Sequence, residues 1–382
     1  MEFGWSDEEQ GFRDEIRAFM RAQLPPAWFS RVPGEEPYSQ VTREFCRALA
    51  ARGWMVPHWP REYGGSGASA WMFAILTEEL WTAGEPRGSQ YMNANYIGPA
   101  IMNAGTQAQK LEHLPRIAAG DVHWCQGFSE PEAGSDLAAM RTRAVREGDH
   151  YVIDGQKIWT SYAMQADYCF LLARTSERGI SVFLVPMKSP GVSVVPLPAM
   201  LDIHVMHHLR FEGVRVPESC RLGAENAGWK IVRDALADER VGAPRHMRAE
   251  HVLQTLVAQA RARGAFDDPR LHERADRAIA ACRAARLLSY QARQSRAEGA
   301  LAAPDAYLGR VAIIKAERAV ADFAAYLGAD EGLEHGSWED SEFRTTLIAG
   351  LGAGSYEVQL NLVARLWLQL PKPGEEEMAR GA

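Results

Sequence analysis

The stretch Gly127–Asp136, GFSEPEAGSD, is the most specific feature of this 382-residue chain. Acids flank Pro131 on both sides, and Ala-Gly-Ser-Asp follows directly, without the charge spacing of a surface helix. Taken alone, the run could be a plain polar loop, because Gly, Pro, Ser and Asp are typical of loops. Its position is informative, since the pattern of apolar residues changes near Trp124, just before this stretch.

The part of the chain before Trp124 has the pattern of helices. Ser6 and Glu9 form a capping box, after which apolar residues recur at helical spacing until Pro25 and Pro26 end the pattern. Further helical patterns cover about 38–52, 70–84 and 91–118. We therefore expect an N-terminal helical region.

From Trp124 to about Leu222 the sequence consists of short runs rich in β-branched and aromatic residues, separated by breaks such as REGD and KSPG. No helix-length segment intervenes, so this part predicts a β domain rather than a parallel α/β sheet. After GAENAGW (223–229) helical patterns return, at about 238–263 with a kink at Pro244, then at 269–298, 304–328 and 355–368. The organisation is helix–β–helix.

Composition excludes several classes of protein. The net charge of −7, the pI near 5.9 and the scattered basic residues argue against nucleic-acid binding. No apolar run approaches the roughly 20 residues that span a bilayer, and the acidic start is unlike a signal or transit peptide. Five widely spaced cysteines predict neither disulfides nor a zinc site. We expect a cytoplasmic protein.

Two further motifs have simpler interpretations than the functional ones they suggest. Gly350–Gly354 (GLGAG) resembles part of a dinucleotide fingerprint, but it lies between helical patterns and not after a strand, which argues against a nicotinamide enzyme. His204, His207 and His208 could suggest a metal site, but no carboxylate completes it. We predict no metal.

The motifs of this chain, in their order, resemble those of the acyl-CoA dehydrogenase family. The resemblance covers essentially the whole sequence and implies an α+β fold with three domains: an N-terminal helical domain (1–123), a central β-barrel or sandwich domain (124–230) and a C-terminal four-helix bundle (231–382). The matching segments are Phe128–Asp136, Gly155–Ser161 (GQKIWTS), Ala166–Tyr168 (ADY), 211–217 (FEGVRVP) and 352–373 (GAGSYEVQLNLVARLWLQLPKP).

The resemblance implies FAD as the cofactor and assigns residues to it. Trp159 is expected to pack against the flavin ring and Ser161 to donate towards its N5/O4 edge. Phe128 and Ser129 are expected to supply main-chain and hydroxyl contacts. Gly134 would allow close approach of the backbone, and Ser135 would reach the diphosphate. The alternative interpretation makes Trp159 a core aromatic residue and the Ser-Glu-Pro turn a loop without a ligand.

The resemblance also implies a carboxylate base that removes the α-proton of an acyl-CoA substrate. Many members place this Glu in the C-terminal loop, where this chain has Ala353. A branch like isovaleryl-CoA dehydrogenase places it in a Leu-x-x-Glu-Arg pattern, which here is Leu236–Arg240. Glu239 is thus the predicted base, at the beginning of a long helix, with Arg240 as a substrate contact. Alternatively, Asp238 and Glu239 only enrich a helix N-terminus.

Two departures leave the assembly and the activity open. The family's Arg-x-x-Phe-Gly segment, which reaches FAD in a neighbouring subunit, is here Arg263–Asp267, with Asp in place of the Gly. The segment 326–336 also lacks the family's Gly-Gly loop. The resemblance implies electron transfer to an electron-transfer flavoprotein by a homotetramer, or by a heterotetramer with a related subunit. The alternatives are a non-catalytic or half-site partner subunit, and a flavin oxidase or monooxygenase.

Overall fold

The chain forms two compact units, Met1–Gly242 and Ala243–Ala382. The first contains a helical part followed by a sheet, and the second is helical, as the fold class predicted from the sequence requires. The computed structural model describes residues 5–29, 38–200, 206–242, 244–298, 305–328, 338–348, 350–352 and 354–371.

The described residues of the first unit form seven α-helices. They are α1 (Asp7–Gln23), α2 (Tyr38–Ala51), α3 (Ala70–Thr82), α4 (Gln90–Met92), α5 (Gly98–Ala104), α6 (Gln107–Ala118) and α7 (Gly228–Gly242). A π-helical turn, Asn93–Ile97, connects α4 with α5. The predicted capping box begins α1, where the Ser6 hydroxyl accepts from the Glu9 amide at 3.3 Å. Helix α3 is buried from Phe73 to Trp81 because it lies inside the helical part of this unit.

In the described part of the chain from Trp124 to Leu222, eight strands form one sheet. They are β1 (Trp124–Gly127), β2 (Arg143–Glu147), β3 (His150–Ser161), β4 (Tyr168–Arg174), β5 (Ile180–Pro186), β6 (Val192–Pro196), β7 (Met206–Pro217) and β8 (Arg221–Leu222). The strand order is β6-β7-β3-β2-β4-β5-β8, and β1 pairs in parallel with β4. Most other pairs are antiparallel, as expected when no helices connect the strands.

Strand β4 is buried on both faces and separates two hydrophobic cores. Phe170 and Leu172 pack with the N-terminal helices, whereas Cys169 and Leu171 pack with the strands on the opposite face. Because successive side chains point to opposite faces, one strand contributes to both cores. One face of β4 therefore packs with the helices of the first unit, and the other face packs with its sheet.

The second unit is a bundle around α10. Its helices are α8 (Arg245–Ala262), α9 (Pro269–Ala297), α10 (Asp305–Leu327), α11 (Trp338–Ile348) and α12 (Tyr356–Leu362). Helix α10 packs against the other four, and Phe323 is fully buried in the core. No helix of the described residues has the length and apolar character needed to cross a membrane.

The prediction of one kinked helix over 238–263 is wrong. Helix α7 ends at Gly242, and α8 is a separate helix that begins at Arg245. Pro244 precedes the first residue of α8, where its missing N–H is tolerated. The apolar periodicity continues across the break, and for this reason the sequence alone suggested a single element.

Candidate active site

The signature stretch forms a closed loop after β1. Glu130 and Ala133 exchange two backbone hydrogen bonds of 3.0 Å each. The carboxylate of Glu130 also accepts from the backbone amides of Arg141 and Thr142, at 2.6 and 2.9 Å. One buried side chain thus joins the two ends of the loop 131–140. The loop therefore has a fixed geometry.

Gly134 and Ser135 lie on the exposed part of this loop. A Cβ atom at Gly134 would meet no atom of the chain within 4 Å, so the surrounding protein does not require glycine there. A ligand that approaches the backbone closely would explain the residue type. The loop therefore fits the role that the resemblance gives these two residues towards an anionic diphosphate.

Trp159 is presented to solvent by an irregularity in β3. The pairing of β3 with β7 shifts register between Lys157 and Thr160, and Trp159 has a φ of 58°. Such a backbone conformation is rare for a large side chain and frequently marks a functional site. The side chain of Trp159 is 59% exposed, so it is not a core aromatic residue. Ser161, two residues later, is half-buried, and its hydroxyl is 3.4 Å from the sulfur of Met206.

The structure brings the loop and this part of β3 together. The amide of Ile158 donates to the carbonyl of Ser129 at 2.8 Å, and the ammonium of Lys157 donates to the carbonyl of Phe128 at 3.0 Å. Phe128 itself is buried, with its ring 6.0 Å from that of Phe170. Phe128 and Ser129 therefore contact residues 157 and 158, directly before the segment 159–161, although these contacts span 29 positions in sequence.

These residues fit a flavin. An exposed indole offers a flat apolar surface, serine hydroxyls and main-chain groups offer polar contacts to a ring edge, and an open glycine-containing loop lies beside them. Residues Ser129, Ser135 and Ser161 would supply the hydroxyls.

Glu130 and Lys157 form a buried ion pair between the loop and the strand. Their charged atoms are 2.8 Å apart, and the two side chains are 5% and 0% exposed. Burial would raise the pKa of Glu130, but Lys157 and hydrogen bonds from Thr142 and Arg141 lower it below its ordinary value. Burial lowers the pKa of Lys157, and Glu130 opposes this change. Glu130 is thus ionised at neutral pH.

Glu239 and Arg240 lie in the last turn of α7, not at the beginning of a helix as the sequence suggested. The prediction of the helix start was wrong because α7 already begins at Gly228. The alternative role for Glu239, an acid favoured by a helix N-terminus, is therefore excluded, because the C-terminal end of a helix disfavours negative charge. The side chains of both residues lie outside the described residues.

The start of α7 is tightly fixed against the sheet. A Cβ at Gly228 would lie 2.6 Å from the carbonyl oxygen of Ile180, so glycine is required for this contact. The amide of Asn226, which has a φ of 66°, donates to the hydroxyl of Ser181 at 2.9 Å. The helix that carries Glu239 is therefore anchored on β5.

Arg263 belongs to the second unit. It caps the C-terminal end of α8 and is exposed, and Gly264 follows with a φ of 68°. Gly350–Gly352 lies between α11 and α12, as predicted, so a dinucleotide fingerprint is excluded. Ala353, His204 and residues 329–336 lie outside the described residues.

Sequence reasoning missed the roles of Glu130 and Lys157, although both lie in the motifs it identified. The sequence of β3 contained a signal for the burial of Lys157. Tyr151 and Ile153, which are buried, lie at alternate positions of the strand, and Lys157 continues this alternation. Alternation along a strand therefore places this lysine among core residues, where a charge needs a partner. Glu130 is that partner.

Comparisons with known proteins show the family of the chain. Models of the acyl-CoA dehydrogenase N-terminal, middle and C-terminal domains match residues 6–121, 125–214 and 226–368. Acyl-CoA dehydrogenase FadE26 of Mycobacterium tuberculosis is 41% identical over 254 residues, which are 63% of this chain and 62% of that protein. Acyl-CoA dehydrogenase IpdE1 of the same organism is 32% identical over 377 residues, 94% of this chain and 97% of that protein.

A solved structure described as the Tcur3481-Tcur3483 steroid ACAD has a TM-score of 0.88 and 32% identity, and the match covers 97% of this chain and all of that one. The same family is indicated by the three domain matches, by the relative that matches over nearly its full length and by this solved structure. The chain belongs to the acyl-CoA dehydrogenase family, whose members are oxidoreductases acting on CH–CH groups and generally bind FAD.

Proposed function

We propose that this protein binds FAD and desaturates an acyl-CoA thioester between Cα and Cβ, and that an electron-transfer flavoprotein receives the electrons. The observation that carries the proposal is the exposed Trp159, held at positive φ beside Phe128 and Ser129. Membership of the family supports the reaction class, and the substrate and the electron acceptor are parts of the proposal.

The residues of the first unit would hold the cofactor. Trp159 would cover one face of the ring, Ser161 would donate to its polar edge, and Ser129 would add a hydroxyl and main-chain contact. The loop with Gly134 and Ser135 would receive the diphosphate. When bound, FAD supplies the acceptor for the hydride that leaves the substrate's Cβ. Arg263 of the second unit would contribute to FAD held by a neighbouring subunit, as the resemblance implies.

Glu239 is the proposed general base, and Arg240 the proposed substrate contact. A base of this kind must lie within hydrogen-bond reach of the Cα proton, so its helix has to be fixed in position. The anchoring of Gly228 against Ile180 provides such a fixed helix. Ala353, at the position that the base occupies in other members, is consistent with a base elsewhere.

The name of the similar Tcur3481-Tcur3483 structure suggests the kind of substrate and assembly. It pairs two chains and is called a steroid ACAD. We infer that this protein acts on a bulky, ring-containing or branched acyl-CoA and assembles with itself or with a related chain. The exposed Asp267, in place of the family's glycine, favours assembly with a related chain, because an acid repels an anionic diphosphate.

The same acid supports one alternative function, a partner subunit that carries only part of an FAD site. Purification from the native host separates the possibilities, with flavin quantified per chain and co-purifying chains identified. A dehydrogenase contains flavin that acyl-CoA bleaches without oxygen and that an electron-transfer flavoprotein reoxidises. Flavin absent from every complex would refute the proposal, and rapid turnover with oxygen alone would indicate an oxidase.

A further inference from the structure

The buried pair of Glu130 and Lys157 has no role in the reaction as proposed above. It is nevertheless placed between the two structural parts of the candidate FAD site, the loop 131–140 and the end of β3. Each partner also binds backbone atoms, so the pair has geometric consequences beyond its own charges.

Glu130 determines the shape of the loop. Its carboxylate accepts from the amides of Arg141 and Thr142, while its backbone pairs with Ala133. The hydroxyl of Thr142 in turn accepts from the amide of Gln156 at 3.2 Å and donates to the carbonyl of the same residue at 3.1 Å. Gly134 and Ser135 lie within the loop that these contacts close.

Lys157 connects that loop to the end of β3, the segment that would contact the flavin ring. Its ammonium donates to the carbonyl of Phe128 at 3.0 Å and to Glu130 at 2.8 Å. The next residue, Ile158, donates to the carbonyl of Ser129, and Trp159 follows immediately at positive φ. Loss of the lysine would remove its two hydrogen bonds between the strand and the loop, directly before the exposed indole.

Stability alone is a weak explanation for such a pair. Two charges lose their hydration on burial, and well-packed apolar residues of similar volume are commonly as stable or more stable. A charged pair does, however, specify geometry, because an ammonium and a carboxylate with several fixed hydrogen bonds allow only one arrangement.

Resting on the FAD binding of the proposed function, we propose that Glu130 and Lys157 are positioning residues: their pair holds the diphosphate loop and the ring segment of the FAD site in one relative arrangement. Neither residue touches the substrate in this account. The pair acts through Ser129 and Trp159 on one side and through Gly134 and Ser135 on the other.

The test compares Lys157→Met, Glu130→Gln and the double variant with Arg13→Met, each purified in the complex the protein normally forms. Arg13 is a matched control, since it is also buried and paired with acids, Glu78 and Glu79, but between α1 and α3. The measurements are the FAD dissociation constant of the deflavinated protein, the visible flavin spectrum, the flavin reduction potential and the melting temperature of the apoprotein.

Lys157→Met should raise the FAD dissociation constant on the order of tenfold or more and change the flavin spectrum and potential, because hydrogen bonds to charged groups are lost beside the site. The double variant should recover much of the melting temperature, since no unpaired charge remains, but not the affinity or the spectrum. Arg13→Met should lower the melting temperature and leave FAD binding unchanged.

Wild-type affinity and spectrum in Lys157→Met would overturn the inference. So would recovery of both stability and affinity in the double variant, or an equal loss of affinity in Arg13→Met. If Lys157→Met does not fold, the double variant carries the comparison. A wild-type complex that binds no FAD would instead refute the proposed function itself.

Discussion

Replacement of Trp159 by alanine is expected to weaken FAD binding without destabilising the protein. The indole is 59% exposed and lies outside the hydrophobic cores, so the apoprotein loses little packing. Alanine and tryptophan carry the same Cβ, so the unusual φ of 58° does not favour the native residue over the variant. The effect should therefore fall on the ligand alone.

The magnitude follows from the exposed area. The side chain of a tryptophan has an area of roughly 150–250 Å², so the exposed 59% of Trp159 leaves ~90–150 Å² in solvent. One flat face of the indole accounts for about half of this exposed area. The ring that covers this face buries a similar area of its own, so the contact removes ~90–150 Å² from water. At ~25 cal/mol per Å² the loss is about 2–4 kcal/mol, or roughly 40- to 600-fold in affinity.

The assay is titration of deflavinated protein with FAD, followed by flavin fluorescence, together with the melting temperature of the apoprotein. Leu111→Ala is the control, because Leu111 is a 64% exposed apolar side chain on α6. We expect unchanged affinity in the control and a loss in the stated range for Trp159→Ala. Affinity within twofold of wild type in Trp159→Ala would refute the placement of the ring on this residue.

Two further predictions concern stability and assembly. Burial, and then the charge of Arg43, lower the pKa of His123 to about 4, so the folded state excludes a proton that the unfolded chain binds near pH 6.5. The free energy of unfolding should therefore fall by about 3 kcal/mol between about pH 6.5 and pH 4, because protonation of His123 favours the unfolded chain. In His123→Gln, urea unfolding should show a smaller fall in the free energy of unfolding over this pH range. A fall as large as that of the wild type would contradict the reasoning. Light scattering should give a dimer or a larger assembly, consistent with the exposed apolar residues Leu366, Trp367 and Leu368; a concentration-independent monomer of 42.4 kDa would contradict this prediction.

The order of the elements could be predicted from sequence because each part has its own periodicity. Helical spacing before Trp124 and short β-rich runs after it correspond to α1–α6 and β1–β8. The division of 238–263 into two helices could not be predicted from the sequence, because the apolar pattern continues through Pro244. Its consequence was the wrong position of Glu239, which lies at the end of α7 and not at its beginning.

The candidate site was predictable in its residue types but not in its construction. The motifs identified Ser129, Gly134 and Trp159, whereas the bulge that exposes Trp159 depends on the pairing of β3 with β7, a contact about 50 residues away in sequence. The ion pair of Glu130 and Lys157 likewise joins residues 27 apart. Interactions of this kind depend on the strand register, which local propensity does not specify.

The most direct test of the account is the rate at which an acyl-CoA substrate bleaches the flavin of the Glu239→Gln complex under anaerobic conditions. Glutamine keeps the shape of the side chain but cannot accept the α-proton, so the rate should fall by on the order of 10²–10⁴ while the FAD content stays that of wild type. Glu357→Gln, on the exposed first turn of α12, should react at the wild-type rate. Bleaching of the Glu239→Gln complex at the wild-type rate would contradict the assignment of Glu239 as the base.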